Sequence, residues 1–459
     1  MNHRDRKRIV TRREFLKASG ALATAGFAAT PGLAWSQQVG GTGPFQDYRA
    51  LVCVFLFGGN DSFNMLVPRS QAEYDVYAQS RQNLAIGQSD LLPITPASPD
   101  GSDYGLHPAM TGIRDLFEQG SAAFVTNVGP LIEAVDKESY FNGSALLPPQ
   151  LFSHNDQQDQ WNSLKGNTQS KTGWAGRMAD LIRSAVADQR MATNASLFGS
   201  NLLQSADDTV AYVMGPGGPV QFEGFSTDPT SLLFEQRQAF LRILAADYGT
   251  VYERAFRDIQ ERAIEAADTV SAAIDSAPLL STVFPQSQLG TQLETVARLI
   301  AVRDDLEMQR QVFFVAAGGF DSHDNQNEDQ PGLLGGVSDA IAAFHAATVE
   351  LGIAEQVTTF TQSDFGRTLT SNGDGTDHAW GGNQIVVGGS VQGGDLYGRY
   401  PLLAIGGDED VGGGRMIPST SADQYAATLA RWFGIADADL DSVAPHLGNF
   451  AARDLGFLV

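Results

Sequence analysis

The stretch VTTFTQSDFGRTLTSNGDGTDHAWGGNQIVVGG, residues 357–389, decides the fold and points to the site. It opens on a β-branched and aromatic run, 357–361, which predicts a buried strand. That strand ends at Asp364, and the pair Asp377-His378 precedes a second apolar run. In open α/β sheets, ligands bind outside the carboxyl ends of the strands. Asp364, Asp377 and His378 are therefore candidates for one site, although an acid that caps a turn and a locally packed histidine would leave the same pattern.

A second strand end of the same kind stands near the start of the globular sequence. The run ALVCVFLF, residues 50–57, has no alternation, which predicts a central strand covered on both faces. Cys53 lies inside it and is expected to be a small buried apolar residue. The run ends in Gly58-Gly59, followed by Asp61. A turn aspartate is the plainer interpretation of Asp61.

A helical stretch at 109–119 and another apolar run at 122–128 follow, and this β-α-β order predicts a parallel sheet. A further strand, 311–317, leads into GGFDSHDNQ, where Asp321 and His323 are two residues apart. Carboxylates and imidazoles are suitable donors for a divalent metal. A lone Asp-x-His is common by chance, but its position at the end of a predicted strand supports a role in metal binding.

The segment FSHNDQQDQW, residues 152–161, contributes Ser153 and His154. Ser153 and Asp156 have the spacing of a helix N-cap. An enzyme can also hold an anionic group at a helix N-terminus, where free N–H groups and the helix dipole point. Both interpretations remain open on local sequence.

The histidines divide into two groups. His154, His323 and His378 stand in polar clusters beside acids, whereas His107, His345 and His446 have no such setting and are expected to be structural. The strand-end residues are expected to converge on one metal centre, whose predicted ligands are Asp61, Asp321, His323, Asp364, Asp377 and His378.

Composition narrows the class of protein. The chain has 459 residues, is 42% hydrophobic and carries a formal charge of −23. An acidic chain is unsuited to nucleic acid, which needs a basic face, and to adhesion on anionic lipid. The single cysteine excludes an internal disulfide and a Cys-ligated zinc centre.

The first 36 residues are expected to be an export signal. Thr11-Arg12-Arg13-Glu14-Phe15-Leu16-Lys17 resembles the twin-arginine signal, and the apolar segment 18–34 is short for a membrane span. Without residues 1–36, which hold seven of the 30 basic and two of the 53 acidic residues, the net charge becomes −28. The resemblance implies the twin-arginine translocase as a partner, a cofactor loaded before export, and a periplasmic or secreted protein with no membrane contact once mature.

No internal repeat or low-complexity linker interrupts the rest of the chain. Helical patterns crowd the middle, with a long charged stretch at 230–276 and another at 288–307. The sequence therefore predicts one domain, 45–459, with a helical insertion at about 200–310.

The order of motifs resembles the alkaline phosphatase superfamily, which includes sulfatases and cofactor-independent phosphoglycerate mutases. That superfamily has an acid after the first strand, then a nucleophile at a helix N-terminus. An Asp and a His follow a later strand, an acid that is commonly Asp-His follows the next, and a last His precedes another strand. In this sequence the matching positions are Asp61, Ser153, Asp321 and His323, Asp364, and His378.

The chain resembles more closely one branch of that superfamily, the secreted bacterial family catalogued as domain of unknown function fifteen-oh-one. The shared pieces cover most of residues 50–435 and are FLFGGNDSFN, SHNDQQDQW, TGWAGRMAD, GGFDSHDNQ, SDFGRT, TDHAWGGNQ and RMIPSTSADQYAATLARWFG. One departure from the superfamily is Phe365, which follows Asp364 where a histidine is usual. Asp377 is the candidate to replace that missing ligand.

The resemblance implies an α/β, alkaline phosphatase-like fold, with a mostly parallel central sheet and helices on both faces. It also implies a periplasmic, metal-dependent hydrolase of phosphate or sulfate esters, acting on a small-molecule or glycan ester with one or more divalent ions (Zn, Ca, Mn or Mg). Ser153 is the expected nucleophile, with His154 as its alternative. Arg367 is a candidate to bind the anionic group, or else a surface cation. The alternative function is a non-catalytic secreted binding protein on the same scaffold.

Overall fold

The computed structural model describes residues 45–459 apart from 167, 169, 220–225, 227 and 247–248. The expected export signal, residues 1–36, lies outside the described residues. The strands are β1 (Arg49–Leu56), β2 (Leu66–Pro68), β3 (Leu92–Ile94), β4 (Tyr104–Leu106), β5 (Ala122–Gly129), β6 (Asn194–Ser196), β7 (Tyr212–Val213), β8 (Arg310–Ala317), β9 (Val357–Ser363), β10 (Arg367–Ser371), β11 (Thr376–His378), β12 (Gly382–Gly388), β13 (Leu396–Tyr397) and β14 (Thr420–Ser421).

Helices connect most of these strands. They are α1 (Gln71–Arg81), α2 (Thr111–Glu118), α3 (Lys137–Asn142), α4 (His154–Ser163), α5 (Trp174–Ile182), α6 (Leu232–Leu244), α7 (Val251–Ser276), α8 (Gln288–Ala301), α9 (Gln326–Glu350), α10 (Ala422–Phe433) and α11 (Leu440–Val443).

The described part of the central sheet has nine strands in the order β13-β5-β12-β9-β1-β8-β6-β7, with β14 also paired to β5. β1 lies between β8 and β9 and pairs in parallel with both. Among the described strands of this sheet, β12 alone runs antiparallel to its neighbours, β5 and β9. The expectation of a mostly parallel sheet is confirmed.

Both faces of the sheet are covered, as the unbroken apolar run of β1 predicts. Side chains alternate across a strand, so Val52 and Val54 join the core beneath α2, α8 and α9. Cys53 and Phe55 join the opposite core, beneath α5, α10 and α11. Cys53 is fully buried, which agrees with its expected structural role. The predicted α/β class with helices on both faces is confirmed.

The antiparallel direction of β12 positions the site. Because β12 runs against β9, its first residue lies at the edge where β9 ends. The hairpin of β10 and β11 fills the interval between them and pairs Arg367 with His378. Residues that precede β12 are thereby brought to the carboxyl ends of the parallel strands.

The middle of the chain contains the edge strand β7 and the helices α6, α7 and α8. Of the described helices, α9 is long and apolar enough by length and composition to cross a membrane. Half of that segment is buried, and Leu334, Val337 and Phe344 pack into the core. Packing inside the protein therefore accounts for its apolar character.

Candidate metal centre at the carboxyl edge of the sheet

Three histidines and one aspartate, from three segments of the chain, meet at the carboxyl edge of the sheet. His154, Asp321 and His378 each offer one ligand atom, and these atoms lie within 4.8 Å of one another. His323 adjoins them, with its Nε2 at 2.9 Å from His378 Nε2 and at 3.0 Å from Asp321 Oδ1. We call these four residues the His/Asp cluster.

Each member arrives from an element that ends or begins at this edge. Asp321 and His323 follow β8, His378 ends β11, and His154 is the first residue of α4. Gly58, just after β1, permits the close packing, because a Cβ there would stand 2.3 Å from the backbone nitrogen of Asp321. Its φ of +116° is also one that favours glycine.

The Nδ1 atoms of the three histidines face oxygen atoms outside the cluster. His154 Nδ1 lies 2.7 Å from Asp364 Oδ2. His378 Nδ1 lies 2.8 Å from the carbonyl oxygen of Phe152, and His323 Nδ1 lies 3.4 Å from Asp377 Oδ1. Histidines that bind a metal usually donate the other ring N–H to a carboxylate or a carbonyl. The Nε2 atoms are thus turned toward the cluster.

Helix α4 fixes two of these oxygen partners. The Oε1 of Gln157 accepts a bond of 2.6 Å from the N–H of Phe152, whose φ is +73°. Gln158 donates to Asp364 Oδ2 over 2.8 Å. Because i, i+3 and i+4 share one helix face, His154, Gln157 and Gln158 act from the same side of α4. That spacing could have revealed both glutamines in the sequence.

The protonation of His378 leaves a lone pair directed into the cluster. A carbonyl oxygen can only accept, so His378 Nδ1 must carry the proton that it shares with Phe152. Burial lowers the pKa of His378, and the hydrogen bond to Phe152 offsets this only in part, so the ring is neutral near pH 7. Its Nε2 then faces His323 Nε2 and, at 3.3 Å, Asp321 Oδ1.

Asp321 adds negative charge at the same point. Burial raises the pKa of Asp321, but the hydrogen bond and charge of Arg367 and the charges of two histidines outweigh it, so the net pKa is lowered. The Asp321 carboxylate and the lone pair of His378 Nε2 both accept, so either an N–H of His323 or a divalent cation can lie between them. Two or three imidazoles with one carboxylate is a donor set that suits zinc. The residues present therefore fit a divalent metal.

The cluster is open to solvent on one side. The side chains of Asp321 and His323 are 44% and 40% exposed, whereas Asp364 beneath them is fully buried. The rings of His154 and His378 pack at 4.8 and 4.6 Å from the ring of Phe365. Phe365 thus supports the cluster with its ring. A small ligand could approach from the exposed side.

Asp61 does not join the His/Asp cluster. In place of the expected metal contact, its carboxylate is buried and accepts bonds from Arg81 and Gln326. The side chains of this ion pair are 1% and 0% exposed. The physical reason is the arrival of Arg81 from the last turn of α1, since a buried carboxylate requires such a partner.

Arg367 and Ser153 also have their own partners. In place of the expected substrate contact, Arg367 is buried and donates to Asp321 Oδ1 over 2.7 Å and to the carbonyls of Gly58 and Thr376. The Ser153 hydroxyl lies 2.6 Å from Asp156 Oδ2. No described hydrogen bond or ion pair connects Ser153 Oγ to the cluster. Of the two candidates at the start of α4, His154 is the one that reaches the centre.

The histidines expected to be structural lie outside the cluster. Burial lowers the pKa of His107 to about 4, with only partial compensation from the charge of Asp61. Burial also lowers the pKa of His345 and of His446. All three are therefore neutral at pH 7, as packed histidines are.

Comparisons with known proteins give a family and a faint structural likeness. The family model described as "Protein of unknown function (DUF1501)" matches residues 48–412. No curated protein matches the chain significantly.

Among solved structures, a sulfatase from Pseudoalteromonas sp. is similar at 11% identity, with 86% of this chain and 69% of that one covered and a TM-score of 0.36. A structure from Bacteroides thetaiotaomicron, whose title concerns the metabolism of glycosaminoglycans, is similar at 10% identity, over 85% of this chain and 74% of that one, with a TM-score of 0.32. A 2-O GAG sulfatase is similar at 8% identity, over 85% and 71%, with a TM-score of 0.29. Likeness this faint carries no weight for the activity of the site.

Proposed function

The chain belongs to the DUF1501 family, and we propose that it is a metal-dependent hydrolase of phosphate or sulfate esters. The observation that supports this is that His154, His378 and Asp321 each offer one ligand atom within 4.8 Å of the others at the carboxyl edge of the sheet. His154 Nε2 and His378 Nε2 lie 3.4 and 3.3 Å from the Asp321 carboxylate. Sites of α/β enzymes occupy this edge. Asp321 and His378 are also positions at which the sequence resembles the alkaline phosphatase superfamily.

In this proposal His154, Asp321 and His378 would hold one divalent cation, with His323 beside them, and zinc is the best match for the nitrogen donors. The cation supplies Lewis-acid stabilisation of negative charge on an ester oxygen. The protein keeps the imidazoles in the required tautomer through Asp364 and the Phe152 carbonyl. Arg367 holds Asp321 in place from below. The exposed side of Asp321 and His323 is where substrate enters.

Ser153 is the nucleophile that the superfamily resemblance suggests for this proposal, although its described hydrogen bond goes to Asp156 and not to the cluster. Its attack would place the phosphate or sulfate on Oγ as the ester alcohol leaves, and water would then release the anion. Ser153 precedes the first turn of α4, where the helix dipole favours negative charge, and its hydroxyl donates to Asp156, which can take up the proton. Ser153→Ala is expected to lower kcat by roughly 10³-fold or more, without change in zinc content. The measurement is turnover of zinc-loaded protein with an aryl phosphate and an aryl sulfate. Full activity of Ser153→Ala would assign the attack to water and leave the hydrolase proposal standing.

The same substrates test the proposal itself. Zinc-loaded mature protein should cleave at least one ester class, and activity should disappear with chelation and return with zinc. One observation favours the alternative, a non-catalytic binding protein. Arg367 donates its hydrogen bonds to Gly58 and Asp321, so it is not available for the expected contact with substrate. Stoichiometric zinc with no turnover on either ester class would support that alternative and contradict the hydrolase.

We also propose export of the folded protein through the twin-arginine translocase to the periplasm. The support is the segment Thr11 to Lys17. Changing Arg12 and Arg13 to Lys should leave the protein in the cytoplasm, because lysine lacks the planar fork of donors of arginine. Cell fractionation measures this, and normal periplasmic accumulation of the double variant would refute the proposal.

A further inference from the structure

Arg415 lies beside the His/Asp cluster, in the loop that precedes β14. Its Nε donates to the carbonyl oxygen of His378 over 3.0 Å. Its guanidinium lies over the ring of Phe152, 5.2 Å from the ring centre. Phe152 is also the residue whose carbonyl oxygen meets His378 Nδ1. Arg415 therefore contacts both segments that position His378.

A tightly bonded loop presents this arginine. Asp410 is 2% exposed, and its carboxylate accepts bonds of 2.7–2.8 Å from the N–H groups of Gly406, Gly412 and Gly414. Gly412, Gly413 and Gly414 all have positive φ, between 67° and 125°. The carbonyl of Gly412 accepts a bond from Arg415 Nη1. The loop is thus a fixed support that only glycines fit easily.

Arg415 has no ionic partner among the described residues. The two other arginines near the site are paired, Arg81 with Asp61 and Arg367 with Asp321. Within the described part of the chain, no carboxylate forms an ion pair with Arg415, and no hydrogen bond uses its Nη2. The side chain is partly exposed. In a chain with a net charge of −23, an unpaired cation beside a cluster of metal-binding residues points to an anionic ligand.

We propose that Arg415 forms a subsite for a tetrahedral oxyanion, the phosphate or sulfate group of the substrate, at the rim of the His/Asp cluster. Guanidinium groups bind such anions through parallel N–H donors. Stacking on Phe152 and the bonds from Nε and Nη1 hold the plane of the group in place. Arg415 therefore takes the anion-binding role that the sequence suggested for Arg367. The substrate assignment rests on the proposed function, whereas binding of the anion does not require turnover.

The test measures binding of inorganic phosphate and of sulfate to zinc-loaded protein by calorimetry. Arg415→Gln is expected to weaken binding of the better anion at least tenfold, with zinc content and Tm unchanged. Arg415→Lys, which keeps the charge but loses the fork, should bind more weakly than wild type and more tightly than Arg415→Gln. Arg453→Gln is the matched control, since Arg453 is exposed and paired with Asp441, and should bind as wild type does.

Equal affinity in wild type and Arg415→Gln would overturn the subsite, and so would an absence of anion binding in wild type. A loss of anion binding that comes with a loss of zinc would also overturn it, because Arg415 would then only support His378. Should Arg415→Gln fail to fold, wild-type affinity in Arg415→Lys would be decisive against the subsite. If wild type turns over substrate and Arg415→Gln has an unchanged KM, the subsite is refuted but the hydrolase proposal stands. If anion binding depends on Arg415 but wild type shows no turnover, the hydrolase proposal is refuted and the subsite stands.

Discussion

His378→Ala is expected to lower the zinc affinity of the protein at least ~100-fold, because loss of even an indirect partner of a metal ligand typically costs 10–100-fold. His378 Nε2 lies 2.9 Å from His323 Nε2 and 3.3 Å from Asp321 Oδ1. Without His378, the remaining donors His154, Asp321 and His323 lose the imidazole that lies between them. Competition with a chromophoric chelator gives the affinity, and loss of ester turnover should accompany it.

His446→Ala is the matched control for this variant. His446 lies outside the His/Asp cluster, and burial lowers its pKa as it does for His378. The control should retain the zinc affinity of the wild type. Equal zinc affinity in His378→Ala and in wild type would show that the cluster is not the metal site.

Asp61→Ala is expected to lower the free energy of unfolding by about 3–5 kcal/mol, the usual result of removing one partner of a buried ion pair. Arg81 would remain buried at 0% exposure with its charge uncompensated. Gln326 would also lose an acceptor. Urea unfolding at pH 7 measures the change, and zinc stoichiometry at low temperature should remain that of wild type.

Asp441→Ala serves as the comparison, because Asp441 and Arg453 form an exposed pair with side chains 60% and 38% exposed. Exposed pairs contribute about 0–1 kcal/mol, so this variant should be nearly neutral. A loss of zinc in Asp61→Ala with unchanged stability would contradict the structural role and restore Asp61 as a ligand.

Much of the sheet could be predicted from local patterns. β1, β5, β8 and β12 are apolar runs of strand length that end or begin at glycines, and β9 is a β-branched and aromatic run, so periodicity and length identify all five. Asp321, His323 and His378 could be found for the same reason, since polar residues at the ends of buried strands meet at one edge. The antiparallel direction of β12 is a tertiary property that no local pattern records.

The roles within the site were harder to predict. Asp61 and Asp364 both follow buried strands. Asp61 nevertheless pairs with Arg81 from α1, whereas Asp364 contacts Nδ1 of His154 and orients its ring. Sequence cannot distinguish them, because the partner in each case is distant along the chain. The contact between His378 and Phe152 could not be predicted either, because it uses a backbone carbonyl and does not depend on the type of side chain. Arg415 begins the motif RMIPSTSADQYAATLARWFG, but only the structure shows that the loop of Asp410 brings it to the carbonyl oxygen of His378.

Anomalous diffraction at the zinc edge, from crystals of zinc-loaded mature protein, tests the central claim most directly. We expect a peak bonded to His154 Nε2, His378 Nε2 and the Asp321 carboxylate at about 2.0–2.2 Å, with Asp364 in contact only through His154. Absence of any peak among these residues, or a peak bonded to Asp61 and not to His378, would contradict it.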